Sequence, residues 1–287
     1  SKFIQSKEKA LNFGFTNSTL WVSFIVINNS DEESWFISQN SANTERIELF
    51  KKKKGKWKSL STGTRKSIKT REIEDKGFLF KIKPKGKTQY FLKVKTTLPI
   101  IDFKIYSPSY LIEKRSRENL ISGLFYGLVI SMFIYNLFIF ISTKNFSNLF
   151  YLLYVLFWGL GLFNLQGFSQ RFIAPESTWI STEGRVLFMA LSIIFLTLFT
   201  IDYLNLKKEN NSLYKLSLGF IFINTARILG MLVFPHPINI KIAWFVLFLA
   251  IPFVIFLGTY KWKTNYRPAK FYLIAFSFLT IGTFISI

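Results

Sequence analysis

The sequence predicts two unlike halves. Residues 1–113 read as an all-β, antiparallel, jelly-roll-like sandwich, and residues 114–287 as an all-α bundle of membrane-spanning helices. Three observations carry this. The first 115 or so residues hold no apolar run long enough to cross a bilayer, and they alternate with period two. From Leu120 onward, apolar runs of about 18 residues or more follow one another, the length a membrane helix needs. Mean hydropathy is only +0.28, because it averages the two halves.

In the first half, Leu20, Val22, Phe24 and Val26 point one way and Trp21, Ile25 and Ile27 the other. This predicts a strand buried on both faces or nearly so. Ile47 and Leu49 open a strand that reaches a basic turn at Lys53–Gly55, and Trp57 starts the return strand of a hairpin. Phe78, Phe80 and Ile82 alternate with Leu79, Lys81 and Lys83. The turn Pro84–Lys85–Gly86–Lys87 then leads into Tyr90, Leu92 and Val94, and Ile101, Phe103 and Ile105 make a last strand. Seven or so short strands without a helix-period segment argue for a sandwich.

In the second half, five spans read as complete, at roughly 120–142, 149–168, 185–204, 213–234 and 240–259. A sixth, 270–287, is still apolar at the last residue, so the chain is expected to end inside it. With the first half outside, the inner loops carry Lys144, Lys207, Lys208, Lys215, Lys261, Lys263, Arg267 and Lys270. The outer loops carry Arg171, Arg185 and Lys241. That asymmetry is the one the positive-inside rule requires for this orientation, opposed weakly by Lys114, Arg115 and Arg117.

The chain has 37 Lys+Arg against 16 Asp+Glu, a formal charge of +21. In a soluble protein this balance would point to nucleic acid; the spans argue against it. The densest basic run is Lys51–Lys54 with Lys56 and Lys58. It reads as a solvated hairpin tip, or as a patch for anionic lipid or acidic glycan. There is no cysteine, which excludes disulfides, thiolate metal sites and cysteine nucleophiles. The single histidine, His236, excludes metal clusters built on several histidines. No metal, no cofactor and no catalytic residue is expected. Ser1–Ala10 lacks an apolar core, so any export signal is expected outside these 287 residues.

Candidate ligand contacts are Trp35 and Trp57, whose rings offer stacking area to a sugar, and Arg71, which would fix a charged group. Filling the core between sheets is the competing role for both tryptophans. Glu72, Glu74 and Asp75 read as a solvated charged loop, not as a glycosidase acid pair. In the spans, Gly123, Gly127 and Ser131 form a small-residue stripe for packing within the bundle or against a second copy in a homodimer. Asn136, Asn164, Gln166, Asn224 and Arg227 are polar groups in apolar surroundings that need partners, and Arg227 reads as the deepest charge. Its two roles are a switch between packings, or one structural polar cluster.

The chain resembles the bacterial seven-transmembrane receptors with diverse intracellular signalling modules, here their extracellular β-sandwich domain of the second type followed by their membrane domain. The resemblance rests on Leu11–Asn12–Phe13–Gly14, Trp21, Asn28–Asn29–Ser30 and Trp35. In the spans it rests on Gly123–Leu124–Phe125–Tyr126–Gly127, Ile134–Tyr135–Asn136–Leu137–Phe138, Tyr151–Leu152–Leu153–Tyr154 and Gly167. It implies a receptor in the bacterial cytoplasmic membrane whose outer domain senses a ligand, plausibly a carbohydrate. The helices would then pass the change to a cytoplasmic output module absent from this sequence. A transporter or channel component with an outer docking domain is the alternative. A membrane-anchored envelope enzyme ranks last, lacking acid pair, cysteine and histidine cluster.

Overall fold

The computed structural model describes residues 3–6, 11–12, 16, 18–39, 41–53, 55–97, 100–209 and 211–285. Most of the N-terminal ten residues, Phe13–Gly14 of the resemblance, Lys54 of the basic run and the final Ile287 lie outside them.

The strands in chain order are β1 (Leu11–Asn12), β2 (Thr19–Ile27), β3 (Trp35–Gln39), β4 (Arg46–Lys53), β5 (Lys56–Thr62), β6 (Phe78–Ile82), β7 (Lys87–Lys95), β8 (Ile100–Ile101) and β9 (Phe103–Tyr106). One sheet has the order β2-β7-β4-β5, a second β6-β3-β9, and β1 pairs with β8, all antiparallel. The β4–β5 hairpin turns at Gly55, whose φ of 75° suits a residue without Cβ.

The core lies between the two larger sheets. Ile37, Phe78, Phe80 and Ile82 of one meet Ile47, Leu49, Leu92 and Val94 of the other. Each such side chain stabilises the fold by about 1.5–3 kcal/mol when fully buried. Leu20, Val22, Phe24 and Val26 pack on the same side. The other face of β2 is open: Trp21, Ile25 and Ile27 are exposed, contrary to the two-sided burial expected. A second sheet covers only one side of the first, and apolar residues on both faces of β2 hid that asymmetry. The last strand is two: β8 and β9 flank Asp102 and pair with different sheets. Trp35–Gln39, not drawn from alternation, is the central strand β3; buried Ser38 and Gln39 break its apolar pattern.

The helices are α1 (Pro108–Thr143), α2 (Phe146–Leu165), α3 (Thr178–Thr182), α4 (Gly184–Tyr203), α5 (Leu206–Glu209), α6 (Asn211–Gly230), α7 (His236–Lys263) and α8 (Pro268–Ile285). α1 has 36 residues, so it is about 54 Å long and begins well before its apolar run. Pro108 suits its first position, and the Ser107 hydroxyl accepts from the Tyr110 N–H at 3.4 Å. Among the described residues, four helices (α1, α2, α4 and α7) are long and apolar enough to cross a membrane. α6 reads as less apolar because it carries Lys215, Asn224 and Arg227.

The chain divides into two compact units, Ser1–Tyr126 with Leu162–Arg185, and Gly127–Gly161 with Val186–Ile287. The boundary expected at 113/114 falls inside α1. In the second unit, Tyr154, Leu196, Leu204, Leu257 and Tyr272 share a core, and the Thr200 and Tyr272 hydroxyls are 2.8 Å apart. A Cβ at Gly258 would sit 2.7 Å from Leu273 Cδ2 and 2.9 Å from Tyr272 Cδ1 of α8. Gly258→Val is therefore expected to destabilise the α7–α8 pair by about 1–3 kcal/mol. Gly219→Val, where nothing lies within 4 Å, is the control in thermal unfolding of the detergent-solubilised chain.

Candidate functional site

The open face of the four-stranded sheet carries the aromatic residues. Register places Phe50 of β4 opposite Phe91 of β7, and Lys52 of β4 opposite Trp57 of β5. The rings cluster across strands. Trp21 stacks on Phe50 with centroids 5.3 Å apart, Trp57 stands edge-on to Phe91 at 5.3 Å, and Phe3 lies 6.0 Å from Phe91. Trp21 is 48% and Trp57 52% exposed, although both are large apolar side chains. Polar groups sit among them: the Lys93 ammonium lies 5.6 Å from the Trp21 ring, and Gln89 donates to the Ser23 hydroxyl at 3.1 Å. Exposed Arg46, Lys52 and Lys95 lie on the same face, and so does Glu48, 3.6 Å from Arg46 Nε. The arrangement offers flat apolar rings flanked by donors and positive charge.

Of the two tryptophans singled out from the sequence, Trp57 stands on this face. Trp35 does not: it packs against the core, with its indole N–H donated to the Glu32 carbonyl at 3.2 Å. Trp21, Phe50 and Phe91 were not singled out. Their signal is aromatic residues at same-face positions of three paired strands, which becomes visible only once the register is known.

Arg71 is far from this face in role. It follows a 3₁₀ turn, Ile68–Thr70, and is buried. Its guanidinium donates to the carbonyls of Asp75 and Gly77 (3.2 Å for Gly77) and to Oε1 of Gln170, and lies 4.7 Å from the Phe78 ring. Burial pushes the guanidinium down to about 10, against the opposing pull of Asp75 and Glu74, so Arg71 stays charged at neutral pH. It ties the β-sandwich to the segment after α2.

That seam lies wholly within the first unit. Gln170, on a π-helical turn (Ser169–Ile173), also donates to the Lys66 carbonyl at 2.8 Å. The Ile68 N–H donates to the Pro175 carbonyl at 3.2 Å, Asn43 to the Leu165 carbonyl at 3.1 Å, and Lys69 pairs with Glu176 on the surface. Gly167, at φ 83°, comes so close that a Cβ would lie 2.3 Å from the Lys76 carbonyl oxygen. Beside it sits a charge cluster. Arg115 Nη2 is 2.9 Å from Asp75 Oδ1, and Glu118 is reached by Arg115 (2.7 Å), Lys76 (3.1 Å) and Lys114 (3.4 Å). The Arg115–Asp75 contact has ion-pair distance without hydrogen-bond geometry, so it counts as a charge–charge contact. Asp75 is thus buried and paired, not solvated as expected, while Glu72 and Glu74 are exposed. The partner that withdraws Asp75 from water lies 40 residues on, in α1.

Comparison with known families agrees with this layout. The family model described as 7TM diverse intracellular signalling matches residues 118–287. The chain belongs to this family. The model described as 7TMR-DISM extracellular 2 matches residues 1–106. No curated protein and no solved structure matches the chain. The protein is therefore a receptor-like membrane protein of the 7TM family with an extracellular N-terminal sensor domain.

Within its 7TM domain the expected polar positions mostly bond to their own helices. Ser131 donates to the Gly127 carbonyl (2.9 Å), Asn136 to the Met132 carbonyl (2.7 Å) and Asn224 to the Phe220 carbonyl (2.9 Å). Arg227 donates to Asn224 Oδ1 at 2.9 Å. It lies in the last turn of α6, which ends at Gly230, short of residue 234 to which the span was drawn. Nothing among the described residues lies within 4 Å of a Cβ at Gly123 or Gly127, so these residues do not supply the packing expected for the stripe.

Proposed function

We propose that this chain is the sensing and membrane-spanning part of a bacterial cytoplasmic-membrane receptor, and that it takes an acidic carbohydrate on the Trp21–Phe50–Phe91–Trp57 face. Sugar rings stack on aromatic faces, and Lys93, Lys52, Arg46 and Lys95 suit carboxylates on such a ligand. The observation that carries the reading is the exposed cross-strand aromatic cluster on an otherwise well-packed sandwich. The Arg71–Gln170 seam then hands the change to the segment joining α2 and α4, and the helices pass it to a cytoplasmic output module. A ligand shifts such an equilibrium only by its differential affinity for the two states.

The test is binding of uronic-acid oligosaccharides to the chain in lipid nanodiscs. Trp57→Ala and Trp21→Ala are each expected to weaken binding about tenfold, or ~1.4 kcal/mol. Affinity should also fall as salt rises, because the charges are exposed. Binding unchanged from the unsubstituted chain in both variants, or a preference for neutral sugars that ignores salt, contradicts the reading.

A further inference from the structure

Beside the seam lies a cavity of about 280 Å³ that the reading above does not use. Its walls are aromatic. The Tyr126 ring stands edge-on to Phe163 at 5.1 Å and to Phe168 at 5.9 Å, and Phe172 lies 6.1 Å from Phe168. One cation lines it: the Arg171 guanidinium, 5.0 Å from the Phe172 ring. Tyr126 contributes its ring to the wall, since its hydroxyl is buried from the cavity. Asn119 and Ser122 add polar atoms to the lining. At Gly123, nothing lies within 4 Å of where a Cβ would be, which leaves the α1 side of the cavity clear.

An aromatic-walled cavity with one guanidinium suits an apolar body with an anionic head. Its size is near the lower end of small-molecule sites, about 300–1,000 Å³, enough for a headgroup and the first part of a chain. Its place narrows the source. Asn119–Tyr126 begin the apolar stretch of α1, and Phe163 is in the last turn of α2. Both helices are of membrane-spanning length and composition, and these ends belong to the same compact unit as the extracellular domain. Leu120 and Leu124 are exposed on α1 and give a chain an apolar path.

We propose that this cavity binds a single-chain anionic amphiphile from the outer leaflet, its carboxylate held by Arg171. The site is separate from the carbohydrate face and does not depend on it. Phe168, one of its walls, also carries the Lys76 ammonium at 5.5 Å, and Gln170 of the seam is two residues on. An occupant thereby bears on the contact that ties the sandwich to the helices.

The test is equilibrium dialysis of radiolabelled dodecanoate against the chain in a nonionic polyoxyethylene detergent. Saturable binding of one dodecanoate per chain is expected, weakened at least tenfold by Arg171→Gln. Gly123→Trp should fill the cavity and abolish binding; if that variant fails to fold, Arg171→Gln carries the decision. Methyl dodecanoate binding as tightly as dodecanoate, or unchanged affinity in Arg171→Gln, would overturn the proposal. So would the absence of saturable binding. Acetate binding as tightly as dodecanoate would reassign the cavity to free small carboxylates and overturn the lipid source.

Discussion

Gly167→Ala is expected to dislodge the segment after α2 from the sandwich and to cost about 3 kcal/mol. Two costs add. A non-glycine residue at φ 83° is strained by about 1–2 kcal/mol. The new Cβ would also lie 2.3 Å from the Lys76 carbonyl oxygen and 2.6 Å from Ala42 Cβ, and a backbone oxygen cannot swing away as a side-chain tip can. The measurement is chemical unfolding of the detergent-solubilised chain. Gly86→Ala is the control: its φ is 58° but nothing lies within 4 Å of its Cβ, so it should cost only the backbone part. Equal losses in the two variants would show that the close approach at Gly167 contributes nothing.

Arg115→Met is expected to cost about 3 kcal/mol, since removing one partner of a buried ion pair leaves the other charge uncompensated. Arg115 and Asp75 side chains are only 13% and 11% exposed. Asp75 keeps the Gly77 N–H at 2.8 Å and a longer-range attraction to Arg71, which soften the loss without replacing the pair. Asp75→Asn retains an acceptor for that N–H but loses the charge. The pair Asp75→Asn with Arg115→Met should therefore lose less than the sum of the single losses, by about 1–3 kcal/mol. Strict additivity in that cycle would mean that Asp75 and Arg115 do not interact. The exposed pair Lys69–Glu176 gives the contrast, and Lys69→Met should move unfolding by little.

The outline of the fold was legible because it rests on local periodicity. The long apolar runs mark their helices, and the β4–β5 hairpin follows from alternation around Gly55. What was not legible depends on partners distant in the sequence. β2 has apolar residues on both faces, and only the sheet order shows that the Trp21 face is uncovered. Trp57 and Trp35 look alike in sequence; register puts one on the open face and the other against the core. Arg71 reads as a free loop cation until Gln170, 99 residues later, is brought beside it. Asp75 reads as solvated until α1 delivers Arg115. The end of the span holding Arg227 was misjudged because the apolar run continues through Leu232–Phe234, beyond the helix end at Gly230.

The central claim is that a ligand on the aromatic face is felt at the seam. Amide hydrogen exchange of the chain in nanodiscs, with and without saturating hexagalacturonate, tests it most directly. Slower exchange across β2, β4, β5 and β7 is expected, together with a changed rate at Phe168–Ala174. Protection on the strands with no change at Phe168–Ala174 would contradict the coupling. No protection on the strands at saturating ligand would contradict the binding face itself.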